Sequence, residues 1–400
     1  MIIKLALRNI LRNGRRSSIT LAVIVFGAVA LILFGGYKAR TFFALRESTI
    51  RGRVGHLQIF KKGYAKAESQ KPLEYALDDA ASVRKEIERD PRVKMTAAQI
   101  TLMGLISNGE KSETFIATAV EPEKDKAMNS QRVTAGTDLP DNEADAVLVG
   151  KGLAASMHVK PGDYLTIMTT TTSGSLNAMD VRVAGIFMTG VKEFDERAVK
   201  MPIVGAQQLL NTTKIEKLLV FLQQTDDTAA VHQSIAAHVS GIEIKEWSEI
   251  ASFYHQVVGL YNGIFGFLGI VVFAIVVFSV ANTILMSVFE RTREIGTLMA
   301  MGTTRGRLRA MFVAEGVGIG VIGGLLGLTI GALLAMLINR GHVMLPPPPG
   351  YTVGYRLEIM MQPAVMVTAF LVSFVTATIS SIVPALKASR MKIVDALGHI

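Results

Sequence analysis

The chain has 400 residues, of which half are hydrophobic, with a mean hydropathy of +0.38 and a formal net charge of +9. This composition is too apolar for an ordinary soluble enzyme and predicts several membrane spans with at least one polar domain. The basic residues cluster beside apolar runs, which favours membrane topology over nucleic-acid binding as their role, and the lack of cysteine excludes disulfides, thiolate metal sites and cysteine nucleophiles.

The first element is an amphipathic helix at residues 1–17, in which Lys4, Arg8 and Arg12 recur every four positions. We expect it to lie in the inner membrane interface. An uncharged run follows, and we assign residues 18–37 to the first transmembrane helix. At about 1.5 Å per residue the run just crosses a bilayer core. A signal peptide is the alternative, but no clear small-x-small cleavage site follows the run.

Residues 38–256 form a polar domain with mixed helix and strand patterns. Asp79 is a candidate cap for a helix that Pro91 stops, and Asn108-Gly109 predicts a β-hairpin. Residues 138–208 are mostly β in pattern. The region therefore predicts a discontinuous α+β base with a β-rich insert at about residues 138–208.

Three further transmembrane helices follow, at residues 257–289, 311–338 and 364–386. As one helix, the first of these runs would measure roughly 50 Å, so we expect part of it to project from the bilayer as a stalk. The polar segments between and after them are a coupling loop at residues 290–310, an outer loop at residues 339–363 and a tail at residues 387–400. The predicted fold is a membrane α-helical protein with four transmembrane helices and a large α+β extracytoplasmic domain between spans one and two.

Positive charge sets the expected orientation. Basic residues precede the first span, separate the second from the third and follow the fourth. Lys and Arg in short loops favour the cytoplasmic side, so both termini are expected there and the large domain outside.

The third span carries glycines at helical spacing: Gly316, Gly320, Gly324, Gly327 and Gly331. Small residues four apart let membrane helices approach closely, within one subunit or between two. Glu315 lies within about one turn of the inner end of this span, so an interfacial acid facing water or a neighbouring arginine is favoured over a functional acid in mid-bilayer.

No sequence pattern for chemistry is present. The chain contains no GxxxxGK[ST] phosphate loop, no GxSxG, no HExxH and no EF-hand loop. We therefore predict no catalytic, cofactor or metal site in this chain, and we expect the energy for its work to come from elsewhere. A stand-alone membrane enzyme is disfavoured for the same reason.

Several motifs resemble those of FtsX-type ABC transporter permeases. They are REIG at residues 293–296, MAMG at 299–302, EG at 315–316, PALKASR at 384–390 with DAL at 395–397, and ALRNILRN at 6–13. Ile393 stands where the family usually has proline. In the large domain, GHLQ at residues 55–58 and PGD at 161–163 are closer to the lipoprotein-releasing LolC/LolE branch than to MacB.

This resemblance implies a multi-pass protein of the bacterial inner membrane that pairs with a second permease copy or paralogue. A separate ABC ATPase of the LolD/MacB type would bind ATP and Mg²⁺ and drive the pair by mechanotransmission. The work would be done outside the membrane on a lipoprotein or lipophilic cargo, with a periplasmic adaptor or chaperone as a further partner. Membrane lipid is a partner and nucleic acid is not.

The resemblance also places the ATPase-coupling residues in the loop after the second span. They are Glu290, Arg291, Arg293, Glu294, Ile295, Gly296, Met299 and Gly302. Apolar members would enter a groove of the ATPase, while arginines and glutamates would pair at its rim. Two alternative functions stay open: an FtsX-like regulator that activates an extracytoplasmic cell-wall hydrolase, and a component of a tripartite efflux system.

Overall fold

The computed structural model describes residues 14–64, 75–128, 132–347 and 352–391. Most of the predicted interfacial helix at residues 1–17 and of the tail at residues 387–400 lies outside these ranges.

The elements in chain order are α1 (Gly14–Thr49), a π-helical turn (Ile50–Val54), β1 (Leu57–Lys61), α2 (Ala80–Ile87), β2 (Val93–Ser107), β3 (Ser112–Val120), α3 (Pro122–Met128), β4 (Arg132–Gly136), β5 (Ala146–Gly150), α4 (Lys151–Met157), β6 (Tyr164–Thr170), β7 (Leu176–Met188), α5 (Lys192–Asp195), β8 (Ala198–Pro202), α6 (Ile203–Leu210), β9 (Lys217–Leu222), a 3-10 turn (Thr225–Asp227), α7 (Thr228–His238), β10 (Ile242–Glu246), α8 (Trp247–Ile250), α9 (Ser252–Glu290), α10 (Thr292–Ala300), α11 (Arg305–Arg340), β11 (Met344–Leu345), β12 (Tyr355–Arg356) and α12 (Pro363–Ser389).

The chain divides into two compact units. The membrane unit contains residues 1–43, 257–345 and 356–400, and the inserted domain contains residues 44–256 and 346–355. Among the described residues, four helices are long and apolar enough to cross a membrane, and they are α1, α9, α11 and α12. The four predicted spans are therefore helical.

Each membrane helix is longer than its predicted span. The largest difference is in α1, which continues through Lys38 and Arg40 to Thr49. Hydropathy marks only the part of a helix that matches the bilayer, whereas lysine and arginine are good helix formers in water as well. The predicted loop at residues 290–310 contains a further helix, α10, and the first turns of α11.

The inserted domain is built on one ten-stranded mixed sheet with the main strand order β10-β1-β9-β2-β3-β8-β5-β7-β4, while β6 pairs with β2 and β7. Its main core packs strand residues such as Ile59, Ile100 and Val220 against helices α4, α6 and α7. Two local predictions are confirmed. Asp79 caps α2 by accepting the Ser82 N–H, and Asn108-Gly109 joins β2 and β3 as an antiparallel hairpin.

The sheet continues across the limits predicted for the β-rich insert. The insert strand β8 pairs in parallel with β3 of the base, from Ile116↔Ala198 to Val120↔Pro202. The strand β6 pairs with the distal end of β2, where Leu105 lies opposite Met168. Base and insert strands therefore share one hydrogen-bonded sheet rather than forming two separate ones.

Candidate functional site

The glycines of the third membrane helix line its contacts with two other helices of the membrane unit. An added Cβ at Gly316 would lie 2.5 Å from the Ser381 Cβ, and one at Gly320 would lie 3.0 Å from the Ala377 Cβ, both on α12. Gly324 faces Phe370 on the same helix. Gly327 and Gly331 instead face α1, at Ala28 and Ile32. The glycine spacing thus lets α11 pack closely against two helices of its own chain.

The corner between α9 and α10 is fixed by short-range hydrogen bonds. The Thr292 hydroxyl donates to the Phe289 carbonyl at 2.8 Å, and the Arg291 Nε donates to the Glu294 Oε2 at 2.9 Å. The first bond satisfies a carbonyl that the end of α9 would otherwise leave free. The Arg291 side chain is only 13 % exposed, so this predicted coupling residue acts inside the corner.

One face of α10 packs against the protein's own helices. Thr292, Ile295, Gly296 and Met299 are buried, at the spacing of one helical face. Ile295 and Met299 belong to a cluster with Leu308 and Phe312 of α11 and with Ala385 and Ala388 of α12. Ile295 and Met299, which were expected from the sequence to enter a groove of a partner, lie in the core of the membrane unit in this structure, and the coupling role of the segment stays a prediction.

The other face of α10 and the turn after it are exposed. The exposed residues of the predicted coupling set are Glu290, Arg293, Glu294 and Gly302. Met301 is 71 % exposed and is absent from the sequence-based set. Its position two residues beyond the last member of the buried 292–295–296–299 pattern is the signal that could have identified it. We call Glu290, Arg293, Glu294, Met301 and Gly302 the exposed elbow.

The turn between α10 and α11 is closed by local capping. Gly302 has a φ of +92°, and its N–H donates to the Met299 carbonyl at 3.1 Å, which is typical of a glycine that ends a helix. Thr304 then begins α11 by accepting the Arg307 N–H. The corner before α10 and the capped turn after it thus hold this helix at a defined angle between α9 and α11.

The basic ends of the membrane helices meet at this corner. The Lys387 ammonium of α12 lies 4.8 Å from the centroid of the Phe289 ring of α9. The Arg309 Nε of α11 donates to the Ser389 hydroxyl of α12 at 2.8 Å. The end of α9, the start of α11 and the end of α12 therefore lie together, and Arg309 and Lys387 share this end of the membrane unit.

Glu315 is buried near this corner and is 6 % exposed. Among the described residues, its Oε2 atom has no hydrogen-bond partner. The charge of Arg291 acts on the carboxylate. Of the two surroundings expected for this acid, water or a neighbouring arginine, the structure favours the arginine, and α11 carries a buried acid near the start of α10.

Comparison with known families decides the identity of the chain. The model for the MacB-like periplasmic core domain matches residues 17–238, and the model for the FtsX-like permease C-terminal matches residues 266–393. The chain belongs to the MacB/LolC family of ABC transporter permeases. The FtsX-type resemblance of the motifs is confirmed, and so is a large domain between the first and second spans.

Three relatives illustrate the range of the family. The permease is 23 % identical to the lipoprotein-releasing system transmembrane protein LolC of Xylella fastidiosa over 329 residues, which cover 78 % of this chain and 79 % of LolC. It is 24 % identical to an uncharacterised ABC transporter permease of Methanocaldococcus jannaschii, over 99 % of this chain and 97 % of that one. It is 36 % identical to the macrolide export ATP-binding/permease protein MacB of Escherichia coli over 120 residues, which cover 30 % of this chain and 17 % of MacB.

Proposed function

We propose that this permease couples ATP hydrolysis by a separate ATPase subunit to work on a lipoprotein or other lipophilic substrate outside the cytoplasmic membrane. The exposed elbow is the contact for the ATPase, and α9 carries its movement to the inserted domain. The permease does not move cargo through its helices, which makes it a mechanical transmitter. We place the elbow in the cytoplasm and the inserted domain outside.

The observation that carries this proposal is that α10 has one buried face and one exposed face. One face is locked into the core of the membrane unit by Ile295 and Met299, and the other presents Arg293, Glu294 and Met301 to solvent. A force applied to the exposed face must move the membrane helices, because the buried face cannot slide without breaking close packing. The charged residues and the exposed methionine suit a partner surface with an apolar groove and a polar rim.

The proposal also draws on the sequence and on the relatives. The sequence contains no phosphate loop, so a nucleotide-driven permease of this kind needs an ATPase in another chain. The relative named for lipoprotein release covers 78 % of this chain and favours a lipid-anchored cargo. The expected complex contains two permease chains and two ATPase subunits, since ABC ATPases act in pairs.

The exposed elbow is tested by replacing its exposed basic and apolar side chains with acidic ones, while the buried residues of α10 stay unchanged. In the permease–ATPase complex reconstituted in lipid, we expect Arg293→Glu with Met301→Glu to lower the cargo-stimulated ATPase rate by roughly tenfold or more, a factor that corresponds to about 1.4 kcal/mol of contact energy. The matched control is Arg340→Glu with Met344→Glu. It makes the same two changes at exposed residues at and beyond the other end of α11, where Arg340 is the last helical residue and Met344 follows it.

The readouts are ATP hydrolysis, co-purification of the ATPase and release of a lipid-anchored protein from the vesicles. We expect the elbow variant to insert normally, to lose the ATPase on purification and to release no cargo, while the control behaves as the parent. An elbow variant that retains the ATPase and releases cargo at the parental rate would exclude this contact site. The regulatory alternative would be favoured if the complex hydrolyses ATP and activates a cell-wall hydrolase but releases no lipoprotein.

A further inference from the structure

We propose that His56 is the positioning residue that locks the end of α1, and the segment that leads into α9, onto the sheet of the inserted domain. The proposal rests on the proposed function, since a transmitter needs the helix ends that enter the inserted domain to be held firmly on its sheet. His56, Thr225 and Glu47 together are called the joint.

The side chain of His56 forms a directed relay from the sheet to α1. Its Nδ1 accepts the Leu222 N–H at 3.0 Å, and its Nε2 lies 3.1 Å from the Thr225 hydroxyl oxygen. Because Nδ1 accepts, the ring proton is on Nε2, which donates to Thr225. The Thr225 hydroxyl in turn donates to the Glu47 Oε1 at 2.9 Å. Each donor in the relay thus has one acceptor, and the direction is consistent throughout.

Glu47 connects the relay firmly to α1. It lies in the last turn of that helix and accepts the Arg51 Nε at 2.6 Å, while the Arg46 Nε lies 3.6 Å away. Its side chain is only 16 % exposed. A carboxylate held between two guanidinium groups has little freedom, so a bond to it fixes the helix end rather than one mobile side chain.

The backbone of His56 joins two further segments. Its N–H donates to the Val220 carbonyl at 2.8 Å, and its carbonyl accepts the Trp247 N–H at 3.0 Å. Trp247 begins α8, which leads directly into α9. Gly55 has a φ of +69° and makes this placement possible, because it turns the chain directly after the π-helical turn. One residue thus contacts the strand β9 and the start of the path to α9, and it reaches the end of α1 through Thr225.

Burial makes the joint stiff at neutral pH. His56 is 1 % exposed. Burial lowers the pKa of its imidazole to about 4, so the ring is neutral at neutral pH and Nδ1 keeps the lone pair that accepts from Leu222. Both ring nitrogens and both backbone polar groups of His56 form hydrogen bonds, so its position is fixed from four sides.

The test removes one hydroxyl and then restores it. Thr225→Val keeps the side-chain shape and breaks the relay on both sides, whereas Thr225→Ser keeps the hydroxyl. His56→Asn is a second disruptive variant, because it can keep the bond to Leu222 but does not reach Thr225. Spin labels are placed at Ser48→Cys and Gln223→Cys, both exposed, in the full chain, whose lack of native cysteine makes these labels specific.

We expect a narrow distance distribution in the parent and in Thr225→Ser, and a severalfold broader one in Thr225→Val and His56→Asn. In the complex with the ATPase, the disruptive variants should still hydrolyse ATP but release severalfold less cargo per ATP, and Thr225→Ser should restore the parental ratio. The proposal is overturned if Thr225→Val keeps the parental distribution, or if it loses hydrolysis and release equally. The distance measurement needs neither ATPase nor cargo, so it judges the joint even if the elbow variants disprove the proposed function.

Discussion

Replacing Asp125 by alanine is expected to destabilise the inserted domain by about 3–5 kcal/mol, the range for removing one partner of a buried ion pair. The Lys200 ammonium lies 2.7 Å and 2.8 Å from the two Asp125 oxygens, and the side chains are 11 % and 5 % exposed. Burial lowers the pKa of Lys200, although the charge of Asp125 opposes this. Without the carboxylate, the lysine must lose its proton or distort the contact between α3 and β8.

The measurement is urea unfolding of the full chain, monitored by the fluorescence of Trp247. This residue is the only tryptophan of the sequence and lies in the inserted domain. The matched control is Asp141→Ala, which breaks the exposed pair with Lys126 at 2.9 Å and is expected to cost roughly 0–1 kcal/mol. Asp125→Leu with Lys200→Met removes both charges and should recover most of the loss. Equal unfolding midpoints for Asp125→Ala and Asp141→Ala would contradict the buried pair.

The sequence predicted those features whose signals are local. The cap at Asp79, the hairpin at Asn108 and the apolar spans each depend on a few adjacent residues, and the structure contains all of them. The resemblance to FtsX-type permeases likewise depended on short contiguous motifs.

The features that the sequence did not reveal depend on long-range contacts. Lys200 and Asp125 are 75 residues apart, and nothing near either one predicts the other. The parallel pairing of β3 with β8 joins the predicted insert to the base for the same reason. His56 is a lone histidine without metal-like spacing, and its importance comes from partners at Leu222 and Thr225.

The elbow shows a different limit of sequence reasoning. Short motifs located the segment but did not say which side of α10 faces solvent. The helical period of Thr292, Ile295 and Met299 does give this answer once α10 is known to be a helix. The charged and Gly-punctuated composition of the segment favoured a loop, and tertiary packing of its apolar face against α11 and α12 outweighs that local preference.

Adding one methyl group at Gly316 is expected to lower the stability of the membrane unit by about 1–3 kcal/mol, the range for overpacking a close contact. The new Cβ would lie 2.5 Å from the Ser381 Cβ and 3.1 Å from the Ala377 carbonyl oxygen. Ser381 is fully buried and cannot turn away, so α11 and α12 must separate. Gly316→Val adds two more carbons and is expected to abolish the folded membrane unit, seen as aggregation during size-exclusion chromatography in detergent.

Gly306→Ala is the matched control, because it makes the same substitution in the same helix. No atom lies within 4 Å of a Cβ built at Gly306, so alanine there only removes the flexibility of glycine and is expected to stabilise α11 by roughly 0.5–1 kcal/mol. Thermal melting of both variants in detergent should therefore move in opposite directions. A Gly316→Ala protein that melts at or above the parental temperature would show that α11 and α12 do not pack through this glycine. It would also contradict the close helix packing that is proposed to hold the buried face of α10 in place.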